Sequence, residues 1–287
     1  MARACGQAGD DVAAPARAAL DLLDAASVRE RVAAVRPQAI YHLAAIAHVG
    51  DSWKEPERVL RDNLVMTLHL LEAVRAEAPE AIVVIVGSSE QYGPPDQLPV
   101  DEGAPLRPQN PYAVSKACTD LLAGQYADAH GLHVVRPRAF NHAGPGQLPS
   151  YAIASFARQV AAGLERGEDP VRVVSGNPDA GRDYTDVRDV ARAYRLLAAA
   201  GEPGIYNVCS GRTTTAGELV RMLGEEAGVG IEHVVDQRLV RAHEVLEVRG
   251  SHERLTRTTG WEARTPLRQT LADTVRWWRE QIRAGRG

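Results

Sequence analysis

Tyr112 and Lys116, in the stretch Asn110-Pro111-Tyr112-Ala113-Val114-Ser115-Lys116, stand four residues apart, a spacing that can move a proton. Asn110 suits a helix N-cap, and Pro111 suits the first helical turn, where its missing N–H costs nothing. Residues i and i+4 then share one helix face, one turn apart. A phenol ionises near 10, so bringing it into the neutral range takes roughly 4 kcal/mol of differential stabilisation, which a nearby ammonium can supply. Lys116 is one of only two lysines beside 31 arginines. A compact ammonium can hydrogen-bond a ribose hydroxyl in a geometry that a planar guanidinium reproduces poorly. On spacing alone, the pair also fits a solvent-exposed helix start.

A serine upstream adds to the set. Residues 81–87, Ala-Ile-Val-Val-Ile-Val-Gly, read as a buried strand, and Ser88-Ser89-Glu90-Gln91-Tyr92-Gly93 follows it. Ser88 with Tyr112 and Lys116 could polarise a carbonyl and protonate its oxygen, with Ser89 the alternative to Ser88. Glu90 beside them is either a chemical carboxylate or a plain loop charge.

The elements that would position these groups follow a regular rhythm. Residues 26–35 read as a helix stopped by Pro37, and 39–44 as a strand. Residues 58–77 carry Leu60, Leu64, Leu68 and Leu71 on one helical face. Helix 112–130 leads to strand 132–140, and helix 187–200 leads to strand 205–210. Buried strands alternating with helices imply an α/β fold whose largely parallel sheet is covered on both faces. Such sheets take ligands at the carboxyl ends of their strands, here 44–52, 87–93 and 141–147. After residue 141 the chain turns rich in Gly, Pro and Asn. The expected division is 1–140 with 184–210 as the sheet domain, and 141–183 with 211–287 as a smaller, interleaved one.

Composition narrows the class. The 287 residues carry a net charge of −4, which argues against nucleic-acid or acidic-membrane partners. Three scattered cysteines, Cys5, Cys118 and Cys209, show neither a metal-ligand spacing nor a disulfide framework. No metal site is expected. No apolar run reaches membrane-spanning length, and the first thirty residues lack the pattern of a secretory signal, so a cytoplasmic protein is expected.

Jointly, the motifs resemble a family. Gly87-Ser-Ser-Glu-Gln-Tyr-Gly93, followed by the Tyr112/Lys116 pair 24 positions after Ser88, is similar to the extended short-chain dehydrogenase/reductases. Within them, residues 138–147 (RAFNHAGPGQ), 181–190 (GRDYTDVRDV), 206–211 (YNVCSG) and 241–245 (RAHEV) most resemble the GDP-4-keto-6-deoxy-D-mannose reductases. The resemblance implies a Rossmann-like fold using NADP(H) or NAD(H), in which Ser88 binds the substrate carbonyl and Tyr112 is the general acid. It also implies that Lys116 holds Tyr112 and the nicotinamide ribose. Glu90 falls where related dehydratases place a catalytic glutamate; in a reductase it could bind sugar hydroxyls. Leu43, Ala44 and Ala45 match the turn under the cofactor, and Asn63 the asparagine that supports it. His48 and Ser52 match substrate-side positions. Asn141, Arg182 and Arg241 match the diphosphate contacts of a GDP-sugar, and Glu244 the nucleotide-side carboxylate. Relatives pair the helices 58–77 and 112–130 into a homodimer, which places Leu64, Leu68 and Leu122 at or near the interface.

One feature of that family has no match. Its opening strand and GxxGxxG turn, which hold the dinucleotide pyrophosphate, find only Gly6-Gln-Ala-Gly-Asp-Asp11 here. The expectation is a chain lacking the first β-α-β unit. Three functions therefore stand: reduction of the C4 ketone to give GDP-D-rhamnose, a GDP-mannose 4,6-dehydratase, or a non-catalytic nucleotide-sugar-binding protein.

Overall fold

The computed structural model describes residues 1–240 and 245–286, so Arg241 and Glu244 lie outside the described residues. Its main sheet is parallel throughout. Strand Ala39–His42 pairs with Ile82–Ile85, which pairs with Val134–Ala139; the latter also takes Gly87–Ser88 on the same side and Gly204–Val208 on the other. Ile82–Ile85 and Gly87–Ser88 keep one register against Val134–Ala139 and are parted only at Val86.

Apolar side chains on these strands alternate between two faces, as the pleat requires. Val83, Ile85 and Val134 point to a core made with Leu70, Leu71, Val74, Ala123 and Tyr126. That face is covered by the helices Ala25–Val35, Pro56–Glu77 and Pro111–His130. Val84, Val135 and Val208 point the other way, to Val190, Tyr194, Leu197, Leu255 and Trp261. Both faces are dry, which is why the strands read as continuous apolar runs.

Each long helix has a legible start. Asp24 accepts from the backbone N–H of Ala26 and Ser27, and Asn110 from that of Ala113. Pro56 and Pro111 occupy first turns, and Gly131 ends its helix at φ 67°. A buried ion pair ties helix Pro111–His130 to the central strand: Arg138 Nη2 donates to Asp120 Oδ2 at 2.8 Å. The Arg138 guanidinium also lies over the Tyr92 ring.

The second region packs helices Ala152–Arg166, Ala216–Ala227 and Leu267–Arg283 around Ile153, Phe156, Val160, Leu219, Leu223 and Leu271. Strands Val171–Ser175 and Ile231–Val235 pair in parallel beside them. A further sheet joins Asn141–Ala143, Gly181–Asp186, Glu247–Val248 and the antiparallel Thr213–Thr215. Strand Gly181–Asp186 crosses the boundary expected at residue 184. Helix Val187–Ala200, which follows it directly, packs on the main sheet, so the chain returns there at 187.

Residues 1–38 contain the six-residue helix Ala2–Gln7 and the helix Ala25–Val35, and no strand. Among the described residues, the outer edge of Ala39–His42 has no strand partner. Cys5 is buried there against Tyr41, and Asp10 pairs with Arg195 at 2.8 Å.

Candidate active site

The break at Val86 shapes the centre of the site. A carbonyl left outside the ladder needs a donor, and Lys116 Nζ supplies it at 2.8 Å. Lys116 is buried, and burial lowers its pKa to about 8. One residue on, Gly87 is required by close approach: a Cβ there would lie 2.5 Å from Gln91 Oε1. That oxygen accepts the Ser88 N–H at 2.7 Å and so fixes the turn Ser89–Gln91 that carries Glu90.

Tyr112 lies beside Ser88, one turn ahead of Lys116. Burial pushes its phenol up to about 12; the hydrogen-bonding Ser88 hydroxyl works against that rise, and Glu90 and Tyr151 add to it. The expected lowering of Tyr112 by the Lys116 ammonium does not occur, because Lys116 is turned to the Val86 carbonyl. The phenol therefore stays protonated across the neutral range, the form a proton donor needs.

Glu90 is half-buried, and its Oε2 accepts from Asn110 Nδ2 at 3.0 Å. Ser89 is buried in the turn. The structure thus gathers Ser88, Glu90, Tyr112 and Lys116 at the carboxyl end of the parallel sheet, where the fold class displays its chemistry.

The loop after Ala39–His42 forms one wall. Leu43 and Ala44 are exposed there, with Ala45 half-buried, making an apolar shelf. Asn63 pins that loop: its Oδ1 accepts from Ile46 N–H at 2.8 Å, and its Nδ2 donates to Ser115 Oγ at 2.9 Å. Asn63 is buried and acts on backbone and helix. His48 caps the short helix Val49–Ser52, its Nδ1 accepting the Asp51 N–H at 3.2 Å. Ser52 is fully buried, its hydroxyl donating to the Val49 carbonyl, so it faces the loop's interior.

The opposite wall comes from the second region. Asn141, two residues beyond the strand position that pairs with Ser88, is exposed and pairs in register with Tyr184. Arg182 sits two positions before Tyr184, so the pleat places both side chains on one face with Asn141. The Arg182 guanidinium donates to the Gly181 and Val245 carbonyls, both at 2.8 Å.

Tyr151 is a further member of the site for which the sequence gives no expectation. Its ring meets His48 edge-on at 5.8 Å, and it bears electrostatically on Tyr112, so it bridges the two walls. A lone tyrosine after a Gly/Pro-rich loop carries no local signal for that place.

Among the described residues, no group of His, Cys, Asp or Glu could hold a metal, and no helix is long and apolar enough to cross a membrane. For a dinucleotide, the fit is divided. Lys116, Tyr112 and the Leu43–Ala45 shelf suit a ribose and a flat apolar ring. Gly6 and Gly9, by contrast, lie at the carboxyl end of helix Ala2–Gln7, where the dipole repels a pyrophosphate.

A doubly covered parallel sheet, with Ser88 at a strand end and Tyr112 and Lys116 on the helix beside it, is that of an extended short-chain dehydrogenase/reductase. More narrowly, the chain belongs to the GDP-mannose 4,6 dehydratase family, whose profile matches residues 13–274. It is 39% identical to a GDP-6-deoxy-D-mannose reductase of Pseudomonas aeruginosa over 86% of this chain and 82% of that one. A GDP-mannose 4,6-dehydratase of Sinorhizobium fredii is 28% identical over 89% of this chain and 78% of its own length. Among solved structures, RMD from Pseudomonas aeruginosa complexed with NADPH superposes with a TM-score of 0.87 at 37% identity, covering 94% of this chain and 90% of that chain. The NAD complex of Thermus thermophilus UDP-glucose 4-epimerase gives 0.79 at 31% identity, over 91% and 83%.

Proposed function

We propose that the protein reduces the C4 ketone of GDP-4-keto-6-deoxy-D-mannose to GDP-D-rhamnose with NADPH or NADH. The observation that carries the reading is the Ser88–Tyr112 contact, with Lys116 one turn on, in a chain 39% identical to a reductase of that kind. Ser88 and Tyr112 together grip the C4 oxygen, and Tyr112, protonated at neutral pH, gives it a proton. Lys116 would hold the nicotinamide ribose and the Leu43–Ala45 shelf would carry the adenosine side, with Asn63 keeping the shelf in place. Bound NAD(P)H supplies the hydride that C4 accepts. Asn141 and Arg182 present donors for the GDP diphosphate, with His48 on the sugar side. Helices Pro56–Glu77 and Pro111–His130 would form a homodimer through their outer face. There Leu121 is exposed, whereas Leu68 and Leu122 lean on the chain's own core.

Turnover followed by nicotinamide absorbance tests this. Tyr112→Phe should bind GDP unchanged and lose about 10²- to 10⁴-fold in rate. Wild-type turnover in that variant would refute the assignment. Glu90, half-buried beside Tyr112, also favours a second reading as the C5 base of a dehydratase. A 4-keto product formed from GDP-mannose without reductant, and lost in Glu90→Gln, would make that reading the correct one.

A further inference from the structure

Asn110 has an evident structural task, capping the helix that carries Tyr112 and Lys116. Its Oδ1 accepts the Ala113 N–H at 2.8 Å. The other end of the same carboxamide does something a cap does not require: Nδ2 donates to Glu90 Oε2 at 3.0 Å. Asn110 is buried and so is its cap bond, while the bond to the half-buried Glu90 is partly shielded from water. Glu90 belongs to the turn after the strand that ends at Ser88, twenty residues upstream and on a different element.

We infer that Asn110 is a positioning residue, fixing the Glu90 carboxylate relative to Tyr112 as well as capping the helix. The inference rests on the proposed reading of Glu90 as a sugar-side group. Residue chemistry makes the double task selective. Asp, Ser and Asn cap helices about equally well. Of these, only Asn carries an acceptor and a donor on two different atoms. Asp would set a second carboxylate against Glu90, and a Ser hydroxyl is one atom shorter and uses its oxygen on the cap. Capping and Glu90 positioning can therefore be separated by substitution.

The test is calorimetry on the full chain, with GDP and GDP-D-rhamnose as the probes and their affinity ratio as the readout. Thermal unfolding checks the cap. Asn110→Asp and Asn110→Ser should keep the wild-type melting temperature within a few degrees and leave GDP affinity unchanged. Each should lose the preference for the sugar nucleotide by about tenfold, the scale of one charge-assisted hydrogen bond. In a Glu90→Gln background, Asn110→Asp should cost nothing further, because the carboxamide introduced at 90 can donate to the carboxylate introduced at 110. If Glu90→Gln loses the preference but Asn110→Asp keeps it, the inference fails alone. If Glu90→Gln itself keeps the preference, the substrate role of Glu90 fails and takes the inference with it. Equal losses from Asn110→Asp with and without Glu90 mark a purely structural effect and also overturn it.

Discussion

Replacing Lys116 with methionine should remove a destabilising charge from the protein's interior. Lys116 is 6% exposed, and burial takes its pKa from the ordinary 10.5 to about 8. That drop is worth about 3 kcal/mol against the folded state. The unfolded chain holds the proton more tightly, so the penalty is complete below pH 8. It shrinks as pH rises from 8 to 10.5 and is absent above that. Methionine fills a similar volume without charge, but it leaves the Val86 carbonyl without its 2.8 Å partner, at a cost of about 1–3 kcal/mol. The two effects nearly offset at pH 7, with Lys116→Met equal to wild type or up to about 2 kcal/mol more stable. The slope is the sharper expectation: relative to wild type, the variant should lose about 2 kcal/mol between pH 7 and pH 9.5. Urea denaturation of both proteins at the two pH values measures it. A stability difference that stays constant between them would refute the placement of a titrating ammonium on Val86. Lys116→Arg sharpens the contrast, since a guanidinium cannot shed its proton. That variant should be less stable than wild type at pH 7, and its deficit should widen towards pH 9.5.

Two further outcomes follow from the same geometry. His42 is buried on Thr67 at 3.1 Å, and burial, then the Lys116 charge, lowers its pKa from 6.5 to about 3. Its stabilising contribution is complete above pH 6.5 and is lost as pH falls towards 3, about 2–3 kcal/mol by pH 4.5. His42→Gln should flatten the acid limb of the urea midpoint by that amount, and parallel limbs would count against it. At the proposed dimer face, Leu121 is 61% exposed. Leu121→Arg should shift the sedimentation equilibrium towards monomer at micromolar concentration, and a wild type that is already monomeric there would remove the homodimer from the proposal.

Local signals in the sequence located the elements well. Helix Pro111–His130 begins at the Asn-Pro pair that announces it, and strand Ile82–Ile85 lies inside its apolar run, because caps and unbroken burial are written in adjacent residues. The Ser88, Tyr112 and Lys116 grouping was legible for a related reason: strand ends in a parallel sheet converge on one edge, so spacing along the chain translates into proximity. What stayed hidden depends on partners far apart in sequence. In the shared register the break at Val86 faces Pro137, which has no N–H to give the ladder. That the Val86 carbonyl is taken by Lys116, thirty residues on, is visible only in the fold. The family resemblance puts Ser52 on the substrate side, but the one-turn helix around it turns its hydroxyl inward. Tyr151 reaches the site only because the second region folds back over His48. The choice of lysine at 116 also gains a second physical reason. A ribose contact explains why a compact donor is useful there, and the burial that takes Lys116 down to about 8 explains why a cation able to shed its proton suits the position. Lysine can lose its proton when desolvated and arginine cannot, so an arginine-rich chain has reason to keep lysine at this position.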